Sequence, residues 1–405
     1  PKLIFSFLFS LILYHTFVRF NRLMLKMLKF TPKKLYNGIM LKIVEITDRQ
    51  EWNDFVKKSG HPLQLWGWGE LKASGSWKIR RVFIVNSSPE VRKKKEKYSD
   101  VVAAAQILVR KLPFPFKNFA YIPRGPIVLS QKNQEREKML ELLADYCKNN
   151  IKPRPVALSV EPDWEDFPEN LLTKKKWRRA KNTILIPQTL ILDLAKTEAD
   201  LLADMSKKTR QYIRKSGAEI TVREINSPRE ISQALEIYAE TAKRAGFAIH
   251  DEKYYFDLKN KLGDNSPIFA AVAKKQPAKT DEEAQETDID PIQKLRQNEE
   301  MVAFLWNIQS EKIAFELYGG ITEKGQKYRA NYILKWLTIQ QARNSGVERY
   351  DMNGLLNDGI SKFKIGFSSH QDQLAGTLDR PLRKSYWIWN NFLPTAKKII
   401  RKFRK

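Results

Sequence analysis

The chain has 405 residues, 72 of them basic against 46 acidic, for a formal charge of +26. That length predicts two or three domains, and 42% hydrophobic with 11% aromatic residues supports sizeable cores and excludes a disordered chain. One cysteine (Cys147) and four scattered histidines with no HExxH pair exclude a disulfide framework, a multi-cysteine zinc site and a zincin-type metal hydrolase.

The charge is concentrated at the ends. Positions 1–40 carry seven basic residues and 380–405 carry nine, neither with an acid, which leaves +10 for the middle. The apolar run at 3–18 is shorter than the roughly 20 residues that span a bilayer, and its basic residues follow it, the wrong order for a signal peptide. Two readings stand side by side: a short membrane-associated helix, or a dispensable extension before a conventional start at Met40. The C-terminal run 385–405 mixes Tyr386, Trp387, Trp389 and Phe392 with lysines and arginines. It reads as an interfacial helix on an anionic membrane, or as a terminal helix with a solvated basic face.

In chain order, the pattern predicts a helix over 47–58, with Thr47 or Asp48 as N-cap. A helix rich in Trp and Gly follows around 64–72. Strands are expected at 77–85 and 101–111, joined by a charged hairpin loop at 87–99. A third strand is expected at 118–129, an amphipathic helix at 131–150 and a buried strand at 155–161. The second half repeats this order: strand 190–194, helix 198–216, strand 219–225, helices 228–246 and 252–262, then strands 267–274 and 301–309. Between those last two strands, 276–299 is an acidic, low-complexity stretch too long for an ordinary loop and reads as an insertion. Strand 312–321, helix 329–346 and strand 349–353 complete the half.

The repeat is architectural: each half has a hairpin, a strand ending near a glycine, a long helix and a further strand. That order resembles acyltransferases of the GNAT type, whose mixed sheet splays beside the helix start and leaves a slot for an acyl donor. The expectation is therefore an α/β chain with mixed sheets: two tandem GNAT-like acyltransferase domains at 40–188 and 189–378. An extension at 1–39 precedes them, and the segment 379–405 returns to the first domain or lies on a membrane.

Six blocks carry a more specific resemblance. They are Leu-Trp-Gly-Trp-Gly-Glu-Leu-Lys at 65–72, Tyr-Ile-Pro-Arg-Gly-Pro at 121–126, Thr-Leu-Ile-Leu-Asp-Leu at 189–194, Ser-Lys-Lys-Thr-Arg-Gln-Tyr-Ile-Arg at 206–214, Leu-Tyr-Gly-Gly at 317–320 and Gly-Ile-Ser-Lys-Phe-Lys-Ile-Gly-Phe at 359–367. In this order they resemble the Fem family (FemA/FemB/FemX), enzymes that build the interpeptide bridge of bacterial peptidoglycan from aminoacyl-tRNA. The resemblance covers about 40–381. The stretch 210–267 lacks a long heptad run, so the chain looks like the type without a coiled-coil arm.

The resemblance implies an aminoacyltransferase that moves an amino acid from charged tRNA to the side-chain amine of the third stem-peptide residue. The acceptor would be lipid II or UDP-MurNAc-pentapeptide. Lys364 would stabilise the oxyanion formed as the amine attacks the ester, and Phe363 would shape the slot. Lys362 is the neighbour that could be confused with Lys364. Lys72 and Arg210 would hold the sugar-nucleotide diphosphate. Arg214 stands at i+4 from Arg210, where some members have a tyrosine, with Tyr212 as a substitute contact. Tyr254 or Tyr255 would line the acceptor pocket, with Tyr255 preferred. Asp351 is a candidate base and Glu316 a second, while Trp66 and Trp68 read as core packing. No metal and no cofactor beyond the aminoacyl-tRNA co-substrate are expected. The implied protein is a monomer, cytoplasmic, at the anionic inner face of the plasma membrane.

Two other classes remain. A CoA-dependent GNAT N-acyltransferase would normally carry a Gly-rich pyrophosphate turn, and the segments at 130–136 and 322–329 lack that spacing. A non-catalytic RNA- or membrane-binding protein explains the charge but not the double acyltransferase order.

Overall fold

The computed structural model describes residues 34–36, 39–87, 100–167, 169–174, 177–181, 183–274, 299–356 and 359–391. The apolar run at 3–18, the charged stretches 88–99 and 275–298 and the basic run from 392 lie outside the described residues.

Two large sheets dominate. The first runs in the order β1 (Lys34–Tyr36), β2 (Ile39–Glu45), β3 (Trp77–Asn86), β4 (Val101–Lys111), β5 (Asn118–Pro123), β7 (Pro155–Glu161), β17 (Leu378–Pro381) and β8 (Arg178–Arg179), with β6 (Ile127–Val128) beside β4. The second runs β10 (Ile191–Asp193), β15 (Arg349–Asp351), β14 (Ile313–Ile321), β13 (Glu299–Gln309), β12 (Ile268–Lys274) and β11 (Ile220–Glu224). A short pair, β9 (Gln188–Thr189) with β16 (Asp372–Gln373), lies between them in sequence. Strand β17 pairs antiparallel with β7, so residues 378–381 join the first sheet.

In each sheet one parallel pair flanks the long helix, Asn133–Asn150 in the first half and Ala330–Asn344 in the second. The two pairs differ in one respect that decides the site. β5 and β7 stay paired from Asn118↔Pro155 to Pro123↔Glu161. β14 and β15 pair only from Ile313↔Arg349 to Phe315↔Asp351 and then part, while β14 runs on to Ile321 against β13. The second sheet is splayed beside the start of its helix. In the first half the corresponding end is filled: Glu161, 1% exposed, accepts from Tyr121, from Thr377 and from the backbone N–H groups of Ile184 and Leu185 at 2.9 and 3.0 Å.

Two predicted elements divide. The helix expected at 198–216 is two, Glu198–Asp204 and Lys207–Gly217. Ser206 caps the second, its hydroxyl accepting from the Thr209 N–H at 3.1 Å, and satisfies a donor that the first turn of a helix leaves orphaned. The strand expected at 118–129 breaks between β5 and β6, where Arg124 takes a left-handed φ of 43°. Pro123 and Pro126, which lack an N–H, flank the break.

The Trp66–Ala73 helix carries Gly67 and Gly69 where the packing leaves no room for a side chain. A Cβ on Gly67 would lie 2.2 Å from the Lys261 carbonyl oxygen, and one on Gly69 would lie 2.3 Å from Gln106 Oε1. Gly67 lets this helix cross the Glu252–Leu262 helix of the second half at close range. Trp52, Phe55 and Trp68 share a buried cluster with Tyr255, Trp306 and Phe315, so the halves have one core in common. Polar contacts add to it: Ser310 Oγ donates to the Gly60 carbonyl at 2.8 Å, and Arg349 pairs with Asp163 at 3.2 Å.

Candidate active site

The splay between β14 and β15 opens into a cavity of about 770 Å³ lined by Tyr238, Arg244, Phe247, Glu316, Tyr318, Lys335, Asn353, Phe363 and Lys364, among others. The last two lie on the Gly359–Ile365 helix. Lys364 Nζ donates to the carbonyls of Asn353 at 2.7 Å and Gly354 at 3.2 Å, which fixes an ammonium at the cavity wall. Lys362 is exposed and does not line the cavity, so the structure separates the two lysines. The Phe363 ring stands edge-on to Tyr332 at 4.9 Å and to Phe367 at 5.3 Å.

Beneath this wall Glu316 and Lys335 form a buried ion pair, 6% and 4% exposed. The Tyr350 hydroxyl donates to Glu316 Oε1 at 2.9 Å. Burial pushes the Lys335 ammonium below its usual range, opposed by the Glu316 charge. A buried pair of this kind is costly to break, because either partner alone would be an uncompensated charge.

A second cluster lies at the junction of the halves. Lys72 Nζ donates to the Tyr254 hydroxyl at 2.8 Å and lies 4.2 Å from the centre of the Trp68 ring. His250 stacks on Tyr254 with ring centres 3.9 Å apart. Tyr254 in turn stands beside Tyr318, whose phenol is pushed well up by burial and then by Tyr254. Since Tyr318 lines the cavity, Lys72 and Lys364 belong to adjoining parts of one region.

Several expected residues fall elsewhere. Tyr255 is a core residue, 2% exposed, its hydroxyl accepting from the His250 N–H at 3.1 Å. Tyr254, not Tyr255, faces Lys72, because the Glu252–Leu262 helix turns Tyr255 into the shared core. Asp351 is 1% exposed and does not line the cavity. Its Oδ1 accepts from Thr189 Oγ1 at 2.5 Å and from the Asn353 N–H at 2.7 Å, so a substrate amine in the cavity does not reach it as a base. Glu316 does line the cavity, but its carboxylate is held by Lys335 and Tyr350.

Arg210 turns Nη1 onto the carbonyls of Leu202, Ala203 and Met205 at 3.0, 3.1 and 2.6 Å, which caps the preceding helix. Only Nε and Nη2 are left to meet an anion. Arg214 is exposed. Tyr212 is half-buried, with Arg329 3.7 Å above its ring and Tyr332 edge-on at 5.0 Å. Of the two tryptophans expected in the core, Trp68 is buried, while Trp66 is partly buried beneath the Arg81 guanidinium at 3.4 Å.

Lys335 and Asn353 were not foreseen. Lys335 had a signal: a lone cation inside the apolar helical run Ile333, Leu334, Trp336, which a buried partner must neutralise. Among the described residues, no group of three or more His, Cys, Asp or Glu side chains could hold a metal ion, and no helix is long and apolar enough to cross a membrane.

Two sheets of GNAT-like build, one of them splayed over a cavity with a fixed ammonium, define an enzyme of the acyltransferase class. The FemAB family model matches residues 47–188, 176–274 and 269–393, and the chain belongs to that family. It is 24% identical over 396 residues to lipid II:glycine glycyltransferase of Staphylococcus aureus (strain USA300), covering 82% of this chain and 90% of that protein. To the protein of the same name from Staphylococcus saprophyticus it is 22% identical over 416 residues, covering 87% and 97%. The crystal structure of FemX superimposes with a TM-score of 0.68 at 20% identity, covering 84% of this chain and 96% of that one.

Proposed function

We propose that the chain transfers an amino acid from aminoacyl-tRNA to the side-chain amine of the third residue of a peptidoglycan stem peptide. The acceptor is presented on lipid II or as UDP-MurNAc-pentapeptide. The relatives named for lipid II and glycine support an acceptor on lipid II. The basic termini suit an anionic membrane, with the protein at its inner, cytoplasmic face.

The observation that carries the reading is the Lys364 ammonium, held by two carbonyls at the wall of the splayed cavity. The acceptor amine attacks the ester carbonyl, an N–C bond forms, and charge builds on the carbonyl oxygen. A fixed ammonium stabilises that oxygen without reorganising. The C–O bond to the ribose then breaks, and the proton lost by the amine ends on the ribose oxygen. Phe363 packs one side of the slot and shields the ester from water. Lys72, with Tyr254 and the outer face of Arg210, holds the acceptor's diphosphate. No covalent enzyme intermediate is needed, and aminoacyl-tRNA is the only co-substrate.

Incubating the full chain with radiolabelled aminoacyl-tRNA or acetyl-CoA and stem-peptide precursors tests this. Label moving from aminoacyl-tRNA to the precursor supports it. Label from acetyl-CoA alone moves the enzyme to the CoA-dependent class, and tight tRNA binding with no transfer makes it a binding protein.

A further inference from the structure

We propose that Asp351 and Asn353 are positioning residues for Lys364: the buried carboxylate fixes a left-handed turn whose carbonyl holds the lysine ammonium at the cavity wall. The inference rests on the reading of Lys364 given above and extends it to residues that act through that lysine.

After β15 the chain must leave the sheet and reach the Gly359–Ile365 helix. It turns at Asn353, with a φ of 58°, a conformation that asparagine tolerates better than most side chains. Three hydrogen bonds hold the turn. The Asn353 N–H donates to Asp351 Oδ1 at 2.7 Å, its Nδ2 donates to the Glu316 carbonyl at 3.0 Å, and its Oδ1 accepts from the Gly354 N–H at 2.8 Å. Gly354 is pressed against Ile186, whose Cδ1 would lie 2.5 Å from an added Cβ. With the turn fixed on both sides, the carbonyls of Asn353 and Gly354 both meet Lys364 Nζ.

Asp351 is anchored in its turn by Thr189 Oγ1 at 2.5 Å. The charged groups near it are Arg349 and Asp163, and it lies outside the cavity lining. Through Oδ1 it holds the Asn353 backbone N–H, away from the cavity lining. The relay thus runs Thr189, Asp351, Asn353, Lys364, from a strand beside the first half to the reacting centre.

The test compares full-chain variants by kcat, by KM for both substrates, by pH–rate profile and by thermal unfolding. Asn353→Ala and Asn353→Gly lose the same side-chain contacts, but only glycine keeps φ near 58° without strain. Asn353→Ala is expected to lower kcat about tenfold or more with KM little changed, since small misplacements of a catalytic group are costly. Asn353→Gly should recover most of that loss. Asp351→Asn keeps an oxygen for Thr189 and the Asn353 N–H and should recover most of the rate lost in Asp351→Ala, with the shape of the pH profile kept.

Equal kcat in the two Asn353 variants would overturn the proposal. So would an Asp351→Asn variant as slow as Asp351→Ala with the acid limb of its profile gone, which would make Asp351 a base. Should Asp351→Ala fail to fold, the half-buried Asn353 pair decides alone. Lys364→Met is the reference: if it turns over normally, the reading of Lys364 itself falls. If it is dead while the Asn353 and Asp351 variants are unaffected, only the relay falls.

Discussion

Lys72, on a helix of the first half, donates a hydrogen bond of 2.8 Å to the hydroxyl of Tyr254, which lies 182 positions later on a helix of the second. The bond crosses the junction where Gly67 brings the two helices together. It links Lys72 through Tyr254 to Tyr318, which lines the cavity. Lys72→Ala is expected to raise KM for the precursor roughly tenfold to a hundredfold, the range of a charge-assisted hydrogen bond of about 1.5–3 kcal/mol. Tyr254→Phe should raise it less, with kcat kept in both. Tyr255→Phe should cost about 1 kcal/mol of stability and leave KM unchanged. Steady-state kinetics and denaturant unfolding separate the three.

Gly67→Ala tests the helix crossing. Its Cβ would meet backbone, the Lys261 carbonyl oxygen at 2.2 Å and carbon at 2.7 Å, so side-chain movement cannot relieve the clash. Overpacking of this kind costs about 1–3 kcal/mol. The variant should unfold at lower denaturant and bind precursor more weakly, because the Lys72–Tyr254 contact lies on the same crossing.

Arg210 caps a helix and is proposed to hold the acceptor's diphosphate, and a pair of variants can part the two. Arg210→Ala removes three hydrogen bonds to the end of the Glu198–Asp204 helix and should lower stability by about 1 kcal/mol, discounted for its partial exposure. Arg210→Lys can still reach a carbonyl but loses the planar fork. It should keep most of the stability while precursor affinity drops, as read by calorimetric titration beside thermal unfolding.

His61 sets a pH dependence of stability. The ring is buried, accepts from the Leu63 N–H through Nδ1 at 3.1 Å and packs edge-on to Phe315. Burial, with Arg124 and Arg349 nearby, holds its pKa well below the ordinary 6.5. The unfolded chain therefore takes up a proton near pH 6.5 that the folded chain refuses. The stability this gives is present above about pH 6.5 and is lost as pH falls towards the folded value, by at most about 1.4 kcal/mol per pH unit. Unfolding free energies at pH 7.5, 6.5 and 5.5 should show a slope that His61→Asn reduces; identical slopes would contradict the assignment.

Much of the fold was legible because the pattern was local. β4, β7 and the Glu252–Leu262 helix lie where their β-rich run, short apolar run and helical pattern put them. The break at Met205–Ser206 was harder. Its N-cap serine was in plain view, but the helix end that precedes it is satisfied by Arg210 from the next helix, a contact that spacing does not announce. At the site, the motif at 359–367 singled out Lys364, and the structure places it in the cavity wall. Tyr254 and Tyr255 were not separable, since neighbours on a helix point in different directions and only the packing against the first half decides which one is buried. Lys335 stayed hidden for a related reason: it lies on a helix, and its partner Glu316 comes from the strand Ile313–Ile321. Asp351 stood out as a carboxylate at a strand end, but the backbone N–H of Asn353 that it holds comes from a turn that the sequence does not show.

In the proposed reaction the Lys364 ammonium stabilises the transition state of acyl transfer without contributing to precursor affinity. Single-turnover transfer from radiolabelled aminoacyl-tRNA, measured beside precursor binding for the wild type and Lys364→Met, tests it most directly. The variant's rate is expected to fall by about two to three orders of magnitude with precursor affinity within about twofold, the pattern of a lost oxyanion contact. A Lys364→Met enzyme that transfers at the wild-type rate, or one that fails only because it no longer binds precursor, would contradict it.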